Sequence, residues 1–138
     1  MSATILLLFS TVLWGFWGIA GKFAVERAHP FSVQLVYSIP FIFFIPIWYL
    51  LSRRSEVQGL VDPQAIGWAI AASVSSILAV LLFIFALRDK PASIAVAITA
   101  IYPLVTLALA LVTKTEVFSV YKAIGIVLII AGVIILQK

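Results

Sequence analysis

Between Lys90 and Lys114 the chain runs for 23 residues without a charge, from Pro91 to Thr113, as PASIAVAITAIYPLVTLALALVT. At about 1.5 Å per residue, such a run crosses a hydrocarbon core of roughly 30 Å as a helix. Ala92, Ala95, Thr99, Tyr102, Thr106, Ala110 and Thr113 recur at steps of three or four, so they share one face. That face is small and lightly polar, and the opposite face is Ile, Val and Leu. In lipid, such a stripe allows close backbone approach or lines a polar path. Pro103 removes one backbone hydrogen bond within the run, so an opening or kink is expected there.

Composition extends this reading to the whole chain. It has 138 residues, 64% hydrophobic and 10% charged, with a mean hydropathy of +1.25. Soluble domains are about 45–50% apolar and about 25% charged. The chain therefore reads as an all-α integral membrane protein. Its apolar runs are continuous rather than alternating, which selects helices over a barrel. The net charge of +4 lies in short loops with no basic stripe, so it informs topology and does not point to nucleic acid. There is no cysteine and a single histidine, His29, so no metal cluster is expected. No cofactor is expected either.

Five spans are expected, over about residues 3–25, 31–51, 63–87, 91–113 and 119–136, in one domain covering 1–138. The first run is too long for a signal peptide and has no Lys or Arg before it. It closes at Lys22, Glu26, Arg27 and His29-Pro30. The second carries Pro40 and Pro46 and is expected to bend. Gln34, Tyr37, Phe41, Phe44 and Trp48 fall on one of its faces. Asp62-Pro63 reads as the N-cap and first position of the third span. There, Ala65, Ala69, Ala72, Ser76, Ala79, Phe83 and Ala86 form a close-packing stripe. Arg88-Asp89-Lys90 is a minimal turn. Gly125 and Gly132, seven apart on the last span, are the expected helix-packing or dimer contact. Lys122, near the start of that span, can snorkel to the interface.

Five spans put the termini on opposite sides. One side collects Arg53, Arg54, Lys114 and Lys122; the other collects Lys22, Arg27, Arg88, Lys90 and Lys138. Four against five is no clear positive-inside bias. Two readings are open: a weak signal decided by the first helix or by a partner, or insertion of copies in both orientations. Two oppositely inserted copies would supply the inverted pair that alternating access commonly uses.

Several stretches resemble a known family. Ala86-Leu87-Arg88, Pro91-Ala92-Ser93 and Thr99-Ala100-Ile101-Tyr102-Pro103-Leu104-Val105-Thr106 resemble the repeat of the EamA family, of the drug/metabolite transporter superfamily. Glu116 stands near the family's acidic position, with Thr115-Glu116 in place of the usual Gly-Glu. Ile124-Gly125-Ile126 through Ala131-Gly132-Val133 also match, as do Trp14-Gly15, Lys22 and Ala24 in the first span. Most members carry two repeats in ten helices. The resemblance implies a half-size member that pairs with a second copy, an antiparallel pair among the options, or with a paralogous half-size subunit. It also implies transport of small metabolites. Small multidrug transporters of the same superfamily use a membrane-embedded glutamate in the first helix, whereas this chain has no acid before Glu26.

Polar residues at membrane depth are costly and often functional. Thr11, Trp14, Gly18 and Lys22 share a face of the first span. Lys22 either binds an anionic group of a substrate or is an interfacial snorkelling lysine. Gln34 and Tyr37 on the second span, with Thr99 and Tyr102 on the fourth, could supply hydrogen bonds. Thr11, Trp14, Lys22, Gln34, Tyr37, Thr99 and Tyr102 are thus the candidate substrate contacts, in a wall suited to small amphipathic compounds. The expectation is an inner-membrane transporter subunit working as a dimer by alternating access. Its rivals are a lipid-linked metabolite flippase subunit and a non-transporting scaffold or assembly factor. An enzyme fits poorly, because Glu26, Glu56, Asp62, Asp89 and Glu116 all sit at loops or span ends.

Overall fold

The computed structural model of the chain describes residues 3–54 and 63–137. The expected N-cap Asp62, with Glu56 and Lys138, lies outside the described residues. All regular structure among the described residues is helical: α1 Ala3–Val25, α2 Pro30–Arg54, α3 Pro63–Asp89, α4 Ala92–Thr99, α5 Tyr102–Val112 and α6 Val120–Leu136. Among the described residues, four stretches are long and apolar enough to cross a membrane: Ala3–Val25, Pro30–Ser52, Pro63–Asp89 and Ala92–Val112. Val120–Leu136 is a shorter apolar helix.

The turn between α1 and α2 is built locally. Pro30 opens α2, where its missing N–H costs nothing and its fixed φ suits the first turn. The amide of Phe31 donates to Nδ1 of His29 at 3.3 Å, so His29 serves as a cap. His29 and Phe31 also meet Phe85 of α3, with ring centroids 6.2 and 5.2 Å apart in edge-on geometry. α2 stays helical through Pro40 and Pro46.

The run read as one helix over 91–113 is two helices, parted at Ala100–Ile101. Pro103, second in α5, has no N–H for the carbonyl of Thr99, and its ring would clash with that carbonyl in a regular helix. The chain tightens instead: the amide of Ile101 bonds Ile98 O at 3.2 Å, and that of Leu104 bonds Ile101 O at 3.0 Å. These are i→i−3 bonds. The interruption therefore falls upstream of the proline, at the carbonyl it leaves unpaired.

α5 ends in a Schellman motif. The Thr115 amide bonds Ala110 O at 2.9 Å and the Lys114 amide bonds Leu111 O at 3.2 Å. Lys114 occupies the left-handed position, at φ 57°. Beyond it, Glu116 pairs with Lys122 of α6.

The chain forms two compact units. One holds α1 up to Ala20 with α4, α5 and α6; there α4 packs on α6, and Ala95, Ile126 and Val133 are buried. Gly18 lies in this unit, where an added Cβ would stand 2.9 Å from Cγ2 of Val96. The other runs from Gly21 to Asp89; there α2 packs on α3, and Val25, Pro30, Phe83, Ile84 and Leu87 are buried. A Cβ on Gly21 would stand 3.0 Å from Cδ1 of Leu87. Of the small stripe on α3, Phe83 is buried and the alanines are exposed.

Candidate functional site

A groove of about 290 Å³ lies between α2 and α3. α2 contributes Gln34, Tyr37, Ser38 and Phe41; α3 contributes Ser73, Ser76, Ile77 and Val80. Antiparallel helix spacing explains the set. Gln34, Tyr37, Ser38 and Phe41 follow i, i+3, i+4, i+7, and Ser73, Ser76, Ile77 and Val80 repeat that pattern. Gln34 lies four residues inside α2, about 6 Å along its axis, and Phe41 about 16 Å. The groove thus reaches from near one end of the span toward the middle of a hydrocarbon layer.

Among the described residues, no acid, lysine, arginine or histidine lines the groove. Its chemistry is one carboxamide, one phenol and three serine hydroxyls on an apolar floor. Tyr37 and Phe41 stand edge to face, with centroids 5.4 Å apart. The hydroxyl of Ser38 donates to the backbone carbonyl of Gln34 at 2.9 Å. Oε1 of Gln34 is buried and accepts no hydrogen bond. A buried acceptor left in this state costs about 1–3 kcal/mol.

Of the expected site residues, the structure brings Gln34 and Tyr37 together in this groove. Lys22 has a different set of partners. Its ammonium donates to Leu87 O at 2.8 Å, lies 3.5 Å from Arg88 O, and is 3.8 Å from the Glu26 carboxylate. These carbonyls belong to the last turn of α3, which has no further helix to donate to them and carries partial negative charge. Thr11 and Thr99 bond Leu7 O and Val96 O of their own helices at 2.9 and 2.8 Å. Their oxygens can therefore still accept. Trp14 and Tyr102 are 60% and 58% exposed. Nothing lies within 4 Å of a Cβ placed on Gly125 or Gly132.

Sequence spacing alone does not single out Ser38 or Ser73, and it places Ser76 in the packing stripe of α3. A signal is nonetheless present: Ser73 and Ser76 share a face with one turn between them. The tie from Lys22 to α3 left no such trace, because every residue carries a carbonyl.

Long apolar helices with a hydrogen-bonding groove at membrane depth define a multi-pass α-helical membrane protein with the features of a small-molecule carrier. The chain belongs to the EamA-like transporter family, whose model matches residues 1–137. It is thus a member of a drug/metabolite transporter family and not of an enzyme family. It is also 31% identical over 136 residues to an uncharacterized protein of Methanocaldococcus jannaschii, covering 99% of this chain and 96% of that one. No solved structure matches the chain.

Proposed function

We propose that the protein is a five-span, single-repeat subunit that pairs to move small metabolites or amphipathic compounds across a cell's inner membrane by alternating access. The observation that carries this is the match of a transporter family to residues 1–137, over which the apolar runs make one set of spans. α6, with 17 residues, is about 25 Å long and serves as the fifth span with its flanking residues. A thin bundle of this kind encloses a path only with a second one. The near balance of basic residues, four against five, favours an antiparallel pair. Substrate contacts come from Gln34 and Tyr37 in the α2–α3 groove.

The test uses the absence of native cysteine. Single cysteines at Ala28 and Val117 fall on opposite sides of a five-span chain. Each is labelled in intact cells with an impermeant maleimide, against a permeabilised control. Roughly half labelling at both sites is the expected result. Full labelling at one and none at the other would replace the homodimer with a separately encoded partner. Equal, complete labelling of both would remove the five-span topology.

A further inference from the structure

We propose that the α2–α3 groove binds uncharged compounds that carry a hydrogen-bond donor next to a flat, apolar ring or chain. This names a ligand class for the transporter reading and rests on it for its biological meaning.

The exclusion of charge comes from the lining. A charged ligand would leave water for a groove whose described lining residues carry no charge, at a depth where that is expensive. The donor requirement comes from the acceptors. Ser38 commits its proton to the backbone of Gln34, so its oxygen offers lone pairs. Oε1 of Gln34 has no donor at all. Gln34 lines the groove, so an N–H or O–H of a ligand seated beside its carboxamide supplies the missing bond. The ring requirement comes from Tyr37 and Phe41, whose edge-to-face pair forms one wall opposite Ile77 and Val80. About 290 Å³ sits at the lower end of small-molecule pockets, which sets the size to one or two rings.

The experiment is saturation-transfer NMR on the full chain in nanodiscs, comparing wild type with Gln34→Leu and Tyr37→Ala. The probes are benzamide and indole, which carry N–H donors, N,N-dimethylbenzamide, which is neutral without one, and benzoate, which is charged. Subtracting variant from wild type removes partition into lipid. The expected result is a signal for benzamide and indole that falls at least threefold in Gln34→Leu, with no such difference for the other two. Tyr37→Ala removes half of the ring wall, so the same threefold fall is expected there, and it reads the site even if Gln34→Leu fails to fold. Equal signals for both donor probes in wild type and in whichever of the variants folds overturn the assignment. So does a wild-type-specific signal from benzoate. A Gln34→Leu effect on oligomeric state without any probe difference also overturns it, because a second copy then fills the groove. Binding and solute flux in proteoliposomes are read separately. Probe binding without flux keeps the groove and removes the transporter reading; flux without probe binding does the reverse.

Discussion

Lys22 holds the last turn of α3 by one short bond to Leu87 O, and its side chain is only 20% exposed. A charged donor on a partly buried carbonyl is worth about 1.5–3 kcal/mol, and its position at a helix C-terminus adds in the same direction. Lys22→Met keeps the aliphatic stem, so the expected loss is about 1–2 kcal/mol, read as a lower unfolding midpoint in detergent. Glu26→Gln removes an exposed partner at 3.8 Å and should cost no more than about 0.5 kcal/mol. A Lys22→Met chain that keeps its midpoint but loses transport would make Lys22 a ligand contact rather than a cap. The glycines give a second residue-scale contrast. Leu87 is fully buried and cannot yield, so Gly21→Ala is expected to destabilise by about 1–3 kcal/mol through overpacking. Gly125→Ala meets open space and should gain about 0.5–1 kcal/mol of helix propensity in the isolated subunit. Spacing in the sequence drew attention to Gly125 and Gly132, whereas the close approaches inside the subunit are at Gly18 and Gly21. Periodicity identifies residues on one face but not what stands opposite.

The helices themselves were legible because lipid demands long apolar runs with internal hydrogen bonds. Their interruptions were less so. Pro103 announced a defect, yet the break lies at Ala100–Ile101, because the proline acts on a carbonyl one turn upstream. Pro40 and Pro46 leave α2 a continuous helix, which is compatible with the expected bend. Pro103→Ala supplies the missing amide, so α4 and α5 are expected to fuse. The check is hydrogen exchange: amides from Ile101 to Leu104 should become protected in the variant. The C-terminus of α5 carries an element-scale mismatch of its own. A Schellman motif favours glycine at its left-handed position, and here that residue is Lys114 at φ 57°. Lys114→Gly should relieve about 1 kcal/mol of backbone cost, raising the unfolding midpoint without moving the Glu116–Lys122 pair.

For the molecule as a whole, the proposed pairing needs a driving force. Large apolar side chains such as Leu13, Phe16, Phe43, Trp68 and Leu82 are well exposed. Lipid tails cover them as well as protein would, so they supply no force for association. That force must come from close backbone contact at small residues and from polar groups that lack partners. The chain offers both. Gly125 and Gly132 leave open space on α6, while Ile126 and Val133, one residue on, are buried in the α4–α6 packing. The glycine face therefore adjoins the packed face and is free for a second helix. The double variant Gly125→Leu, Gly132→Leu is expected to keep its helicity and unfolding midpoint as a subunit. Its dimer fraction, counted by single-molecule photobleaching in nanodiscs at fixed lipid-to-protein ratio, should fall severalfold. An unchanged dimer fraction would move the interface elsewhere, with the polar α2–α3 groove as the next surface to test. Loss of helicity instead would make the two glycines part of the subunit's own packing, against the open space they show.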